Sequence, residues 1–237
     1  MIYLNSYHPL AKCPSGRKAA ATHNLPPYAD ASCRREPDLE ASLPAISALC
    51  RTTKFAPRLK VGDVVTYITV SSFYPPITDR RHYRLTAVLE VLKRFEDHES
   101  AAAWYSGQGF PIPGNCIVPE NPPLPLEKTV GFYFADDEAL GKKVKRVPEQ
   151  VAEWDRFYAD RVSVCSLMLA CKPLYTELHS PPAFDSKEAE AIFLEYGKMP
   201  GTLNPPAISP ADFHRLMEHC ATGVQVEADQ HRLKVHR

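Results

Sequence analysis

Lys60-Val61-Gly62-Asp63-Val64-Val65-Thr66-Tyr67-Ile68-Thr69-Val70 is the most informative stretch for the fold, because a Gly-Asp turn leads there into β-branched and aromatic residues. Such residues favour extended backbone, so the stretch predicts a strand over Val64–Val70. A second strand is predicted over Tyr83–Phe95, with alternating apolar residues on one face (Leu85, Ala87, Leu89 and Val91). We expect the two strands to pair across Ser71–His82, which contains two prolines and predicts a loop.

The residues before this stretch carry weaker signals. Met1–Tyr7 predicts a first strand rather than a signal peptide, since it lacks a positive start and a long apolar run. Residues 8–60 are rich in Pro, Ala and Arg and predict ordered loops. A short helical piece is predicted within them over Leu43–Cys50.

After the strand pair, Asp97 predicts the N-cap of a helix from His98 to about Ser106, ended by Gly107. Residues 111–125 contain six prolines, which cannot donate to a regular ladder, so an extended surface connection is predicted. It is the best candidate for a seam between a region 1–125 and a region 126–237. Phe132–Phe134 predicts a short strand.

The C-terminal half has more helical patterns. Pro148 suits the first turn of a helix to about Arg161, with an apolar stripe at Val151, Trp154 and Tyr158. Arg161–Cys171 predicts a buried strand, with helix as the alternative. Asp185 with Glu188 forms a capping box that predicts the start of a helix ending at Gly197. A second capping box at Ser209–Asp212 predicts a helix to about Cys220. Val224–Glu227 and Arg232–His236 predict a closing hairpin. The sum is an α+β protein.

The charge is neutral overall but unevenly distributed. The 237 residues hold 28 basic and 28 acidic side chains, which argues against a generic coat on a polyanion. Residues 1–60 carry nine basic and four acidic side chains, whereas 101–237 carry 14 and 18. This asymmetry indicates a polyanionic partner for the basic part and leaves the acidic part as a surface for a protein partner.

The cysteines and the apolar runs bear on location and metal binding. Seven cysteines without a repeating spacing are typical of reduced thiols, so a cytoplasmic location is expected. The sequence contains no run of about 18 apolar residues, so no membrane span is predicted. No close Cys pair of the zinc type is present, so we expect no metal and no cofactor; Cys165 in particular is interpreted as core.

The order of the sequence features between Ser32 and Tyr105 resembles that of the PUA-like superfamily, in its EVE, ASCH and YTH-like branches. The resemblance lies in an arginine, a short loop, the Leu59-Lys60-Val61-Gly62-Asp63 turn, the strand that follows it, and Ala87-Val88-Leu89-Glu90-Val91 before a helix. It covers roughly residues 50–105, and Leu49 stands where EVE-like domains have a tryptophan. The chain is also similar to uncharacterised bacterial and phage domains associated with nucleotide modification. The resemblance implies a small β-barrel over 1–125, with 126–237 as a mixed helical extension that packs on the barrel and adds closing strands.

The resemblance also implies a pocket that receives one base of DNA or RNA, modified or not. Such a pocket needs cations for phosphate, an aromatic platform, and polar groups for the base edge. The candidate residues are Arg34, Arg35, Arg51, Lys54 and Arg58 for phosphate, Tyr67, Trp104 and Tyr105 for stacking, and Ser32, Thr69 and Asn115 for the edge.

Other interpretations of the same residues stay open. Arg34 and Arg35 precede Glu36, Asp38 and Glu40 and could form only a local ion-pair network. Trp104 is better explained as a side chain that anchors the helix on the barrel than as a stacking platform. Tyr67 is explained equally well as a core residue and as a stacking residue. An ASCH-like hydrolase or nuclease is the main alternative function, and an adaptor without catalysis is the second. P-loop, dinucleotide-binding and zincin motifs are missing, and a binding module is favoured over an enzyme.

Overall fold

The computed structural model describes residues 1–49, 51–130, 147–197, 199 and 204–221. Its central feature is a mixed sheet of eight strands, in which β2-β6-β5-β3-β1-β8 lie side by side and β4 and β7 also pair with β5. The strands are β1 (Ile2–Tyr7), β2 (Ala45–Ser47), β3 (Val64–Thr69), β4 (Ser72–Tyr74), β5 (Ile77–Phe95), β6 (Met168–Thr176), β7 (Ala183–Phe184) and β8 (Ala207–Ile208).

Five α-helices accompany the sheet among the described residues. They are α1 (Pro14–His23), α2 (His98–Gly107), α3 (Val147–Val164), α4 (Ser186–Ile192) and α5 (210–221). The protein is therefore α+β, as predicted. Within the described part of the chain the sheet is open, with β2 and β8 at its two edges, and no closed barrel is formed.

The predicted strand pair is confirmed at the centre of the sheet. β3 runs antiparallel to β5, with Val64 opposite Glu90 and Tyr67 opposite Ala87. The preceding turn works as its composition indicates: Gly62 has a φ of 85°, and the Asp63 carboxylate accepts a hydrogen bond from the Lys60 backbone N–H at 2.9 Å. The predicted first strand is also confirmed, since β1 pairs in parallel with β3.

Two details of the strand pair differ from the prediction. Leu85 packs on the opposite face of the sheet from Ala87, Leu89 and Val91. The cause is a register shift, because Tyr67 faces Ala87 while the next residue, Ile68, faces Leu85.

The prediction of a loop over 71–82 was wrong for most of these residues, because β4 and the first part of β5 form a hairpin there. Tyr74 pairs with Ile77 across Pro75 and Pro76, so both prolines lie in the turn and neither has to donate within the ladder.

Residues 8–60 contain structure that was not predicted from the sequence. Pro14 opens α1 at its first turn, and Gly16 lets the helix approach the preceding segment: a Cβ there would lie 2.1 Å from the Leu10 carbonyl oxygen. The helical piece predicted over Leu43–Cys50 was wrong, because Ala45–Ser47 forms β2 and pairs antiparallel with β6. Tertiary pairing overrides a weak local preference there.

The helix starts were predicted better than the helix ends. Asp97 caps α2, and the box of Asp185 with Glu188 opens α4, although α4 ends at Ile192 and not at Gly197. Ser209 Oγ accepts a hydrogen bond from the Asp212 N–H at the start of α5. The helix predicted from Pro148 is confirmed as α3, but it continues to Val164, so the strand predicted over Arg161–Cys171 begins only at Met168.

The predicted connection over 111–125 contains no helix or strand. The predictions for Phe132–Phe134, Val224–Glu227 and Arg232–His236 lie outside the described residues, as do the side chains of Val151 and Trp154. No described helix is long and apolar enough to cross a membrane.

The Asp185 cap gives a test of local stability. Its carboxylate accepts hydrogen bonds from the Lys187 and Glu188 N–H groups, both at 2.9 Å. We expect Asp185→Ala to lower the free energy of unfolding by about 1 kcal/mol, measured by urea denaturation. Ser186→Ala in the same turn is the control and should change stability by less than about 0.5 kcal/mol, because Ser186 is exposed. Equal effects of the two substitutions would contradict the capping role.

Two apolar layers cover the faces of the sheet. One face carries Leu4, Ile68 and Val88 and packs against α4 and α5. The other carries Tyr3, Val65 and Leu89 and packs against residues of the 28–59 segment. The second face also borders a cavity beside the C-terminal end of β1.

Candidate functional site

A cavity of about 640 Å³ lies where the end of β1, the 30–37 loop and α3 meet. β1 contributes Asn5, Ser6 and Tyr7, and the loop contributes Asp30, Ser32 and Glu36 among others. The rest of the lining is His8, Ala31, Pro37, Ser47, Arg51, Lys54, Phe55, Val70, Val130, Phe157, Tyr158 and Arg161. The volume lies within the roughly 300–1,000 Å³ that small-ligand sites occupy.

Glu36 is a buried acid of the cavity whose carboxyl group is held by three hydrogen bonds. It is 6% exposed, and its carboxylate accepts hydrogen bonds from Ser47 Oγ at 2.6 Å, Asn115 Nδ2 at 3.0 Å and the Ser47 N–H at 3.2 Å. Burial raises the pKa of Glu36 to about 8, although these hydrogen bonds act to lower it. The Glu36 carboxyl is therefore mostly protonated near neutral pH.

Asp30 organises the loop beside Glu36. Its Oδ1 accepts hydrogen bonds from Ser32 Oγ at 2.6 Å, the Ser32 N–H at 2.9 Å and the Glu36 N–H at 3.1 Å. Burial raises the pKa of Asp30 to about 6, and the Ser32 hydrogen bonds oppose that rise. Two carboxyl groups with raised pKa values thus share one cavity.

Cationic and aromatic side chains supply other parts of the lining. Arg51 is half-buried and donates to the Ser6 carbonyl oxygen at 2.7 Å, while Lys54 is exposed. Arg161 of α3 donates to the Leu49 carbonyl oxygen at 2.9 Å and lies 4.2 Å from the centroid of the Phe157 ring. Tyr158 follows Phe157 in α3, so this helix brings two aromatic rings and one guanidinium group to the cavity.

Of the predicted site residues, Ser32, Arg51 and Lys54 line this cavity together. Asn115 does not line the cavity but positions the lining residue Glu36, because its amide donates to the Glu36 carboxylate and to the Ala45 carbonyl oxygen, both at 3.0 Å. These four residues come from three separate stretches of chain.

The other predicted phosphate contacts lie elsewhere. Arg34 and Arg35 are each 2% exposed. Arg34 pairs with Asp155 of α3 at 2.6 Å, and Arg35 pairs with Glu40 at 2.6 Å. Arg58 is exposed and donates to Asn204 Oδ1 at 2.7 Å, outside the cavity lining. The guanidinium groups of Arg34 and Arg35 thus donate to acceptors within the protein and link distant segments of the chain.

The predicted stacking and edge residues are mostly packed inside the protein. Tyr67 is buried in the core beneath the sheet, edge-on to Tyr7. Thr69 is buried, and its Oγ1 accepts a hydrogen bond from the Arg84 N–H at 3.0 Å. Tyr105 is buried and donates to the Leu43 carbonyl oxygen at 3.2 Å. Trp104 is half-buried against Phe95, with ring centroids 5.5 Å apart, which agrees with the helix-anchor interpretation.

Most of the cavity lining was not predicted from the sequence. Glu36 was interpreted as part of a local ion-pair network, and Asn5, Asp30 and Arg161 were not singled out. One signal was present: Asn5 and Ser6 are polar residues inside an otherwise apolar first strand. Polar residues at buried strand positions point to a site.

The described residues contain no group of three or more His, Cys, Asp or Glu side chains placed to hold a metal ion. Their six cysteines form no disulfide. No protein-family model, curated protein or solved structure gives a significant match to this chain.

Proposed function

We propose that the protein binds nucleic acid and receives a single nucleotide in the cavity beside β1. The observation that carries the proposal is that one cavity combines cations (Arg51, Lys54 and Arg161), aromatic rings and buried hydrogen-bonding groups. A nucleotide requires this combination, because its phosphate is anionic, its base is flat and apolar on both faces, and its base edge is polar.

The aromatic rings of the cavity support this assignment. Phe157 is 50% exposed, and Arg161 covers one face of its ring, so a base would stack on the other face. Stacking of a base on such a ring contributes about 1–3 kcal/mol and tolerates any sequence. The neutral overall charge agrees with local recognition of one nucleotide rather than with coating of a long polyanion.

The proposal extends to the fold and to the location of the protein. We propose that the sheet is a variant of the PUA-like arrangement, with the Gly62-Asp63 turn, β3 and β5 as its centre. The pairing of β3 with β5 and the helix that follows β5 support it. A cytoplasmic location is proposed as well, supported by the free thiols of the described cysteines.

The proposal predicts a salt-dependent affinity that depends on the cavity cations. We expect a fluorescently labelled single strand to bind more weakly as NaCl rises, measured by anisotropy. Arg51→Ala and Lys54→Ala should each weaken binding, because both side chains line the cavity. Removal of one cation that binds a phosphate should reduce the slope of log K against log[salt] by about 0.7.

The control for that experiment is Lys187→Ala. Lys187 is an exposed lysine of α4, outside the cavity lining, so its removal should leave the slope unchanged. If neither single strands nor duplexes, with plain or modified bases, bind at low salt, the proposal is wrong.

A hydrolase acting on nucleic acid or a nucleoside is the second candidate. Glu36 favours it, because a carboxyl group whose pKa lies at about 8 can donate a proton to a leaving group near neutral pH. Incubation of the protein with labelled strands, with and without Mg²⁺ or Mn²⁺, tests this function. Cleavage that Glu36→Gln abolishes would favour the hydrolase over the binding module.

A further inference from the structure

The Arg34–Asp155 ion pair joins two walls of the cavity. Arg34 belongs to the 30–37 loop, which lines one side of the cavity through Ser32 and Glu36, and Asp155 belongs to α3, which lines another. The Arg34 Nε donates to Asp155 Oδ1 at 2.7 Å, and the Arg34 Nη2 lies 2.6 Å from the same oxygen. Neither of the two side chains is itself part of the cavity lining.

Arg34 is also fixed from the side of the loop. Its side chain is 2% exposed, and its Nη1 donates to the Asn121 carbonyl oxygen at 2.7 Å. The Asn121 side chain in turn donates to the carbonyl oxygens of Pro113 and Cys116, both at 2.8 Å. All three guanidinium nitrogens of Arg34 thus meet a protein acceptor, and this planar group has one orientation, toward α3.

Asp155 lies on the same side of α3 as residues of the cavity. Tyr158 follows Asp155 by three residues and Arg161 follows Tyr158 by three, a spacing that makes side chains neighbours on a helix. The six residues span about 9 Å along the helix axis. At the far end of this span Arg161 donates to the Leu49 carbonyl oxygen at 2.9 Å. Phe157 and Tyr158 therefore lie between two contacts that join α3 to the rest of the protein.

We infer that Arg34 and Asp155 are positioning residues, which fix α3 so that Phe157 and Tyr158 form the stacking wall of the nucleotide site. The inference rests on the proposed function and identifies what assembles its site. Asp155 is the counter-charge of a buried guanidinium group, so its removal leaves that charge uncompensated and separates α3 from the loop. Arg34 then acts on the bound strand through α3 and makes no contact with phosphate.

A double-mutant cycle on binding tests the inference, with the fluorescently labelled single strand as the probe and anisotropy as the readout. In the wild-type background Phe157→Ala should weaken binding by about tenfold, the factor expected when one base loses its stacking partner. Asp155→Ala should weaken binding by a similar factor. Phe157→Ala added to Asp155→Ala should then weaken binding by less than about twofold more, because the ring is already out of place. A purely structural role of Asp155 would lower stability and leave the tenfold effect of Phe157→Ala intact in the folded protein.

Asp160→Ala is the matched control, because it removes an acid from an exposed position on the same helix, outside the cavity lining. It should leave the affinity unchanged, and Phe157→Ala should keep its full effect beside it. A tenfold effect of Phe157→Ala that persists in Asp155→Ala would overturn the inference while the proposed function stands. The same holds if Phe157→Ala has no effect in the wild-type background. No binding of any strand by the wild type would overturn the inference together with the proposed function.

A second variant serves should Asp155→Ala fail to fold. Arg34→Met combined with Asp155→Leu removes both members of the pair and leaves no unpaired charge inside the protein. Phe157→Ala should again have less than about a twofold effect in that background. A retained tenfold effect there would show that the ion pair does not position the wall.

Discussion

The Glu36→Gln variant is expected to gain stability relative to the wild type as pH rises from about 4.5 to about 8. Burial raises the pKa of Glu36 from its ordinary value of 4.5 to about 8 in the folded protein. Between these two values the folded state keeps a proton that the unfolded state releases. The unfolding free energy of the wild type therefore falls with pH through this window and levels off above it.

The size of this change follows from the shift in pKa. One unit corresponds to about 1.4 kcal/mol, so the full window of about 3.5 units carries on the order of 5 kcal/mol. Glutamine cannot ionise and lacks this contribution. Its amide nitrogen replaces one carboxylate oxygen and so faces either the Asn115 side-chain amide or the Ser47 N–H, which adds a cost that does not depend on pH. The measurement is urea denaturation of both proteins at several pH values, with the difference between the two curves as the readout.

The difference between curves is needed because other groups titrate in the same range. Burial raises the pKa of Asp30 to about 6 and lowers the pKa of His98 to about 4, and both groups are common to the two proteins. Glu190→Gln, at an exposed glutamate of α4, is the control and should run parallel to the wild type. Parallel curves for Glu36→Gln would mean that Glu36 ionises normally in the folded protein.

The Arg35→Ala variant is expected to lose about 3–5 kcal/mol of unfolding free energy. The Arg35 guanidinium donates to Glu40 Oε2 at 2.6 Å and to the carbonyl oxygens of Asp30 at 2.6 Å, Lys128 at 2.9 Å and Ser32 at 3.0 Å. Alanine would leave these acceptors without their donor inside the protein. Arg35 also has a φ of 46°, a left-handed conformation that its surroundings must stabilise.

Urea denaturation followed by circular dichroism measures this loss. Arg58→Ala removes an equal charge from an exposed position and should change stability by less than about 1 kcal/mol. Arg35→Lys should fall between wild type and Arg35→Ala, because an ammonium group cannot reach all four acceptors at once. An Arg35→Ala protein within about 1 kcal/mol of wild type would show that the 30–40 loop holds its shape without this side chain.

These two residues show why the arginines and acids could not be ranked from the sequence. Arg34, Arg35, Arg51 and Arg58 are one residue type in one basic region, yet two are buried with protein acceptors, one lines the cavity and one is exposed outside it. Arg34 meets Asp155, 121 residues along the chain, and Asn115 meets Glu36, 79 residues away. Such partners are not predictable from a local pattern.

Local patterns, by contrast, predicted the centre of the fold. The Gly62-Asp63 turn and the caps at Asp97 and Asp185 depend on interactions within a few residues. The residues of β3 and of most of β5 favour extended backbone by their own type and alternation. The errors lie where a distant strand or a bulge overrides the local preference, as at Ala45–Ser47 and Leu85.

An α+β protein built on the β3–β5 pair could thus be predicted from the order of residues alone, because neighbouring residues specify turns, strands and caps. Which polar side chains share a cavity depends instead on the folded arrangement. Folding brings Asn5, Glu36, Arg51 and Arg161 together from four separate segments. Burial changes the chemistry of such groups, and burial is a property of the folded chain and not of any one segment.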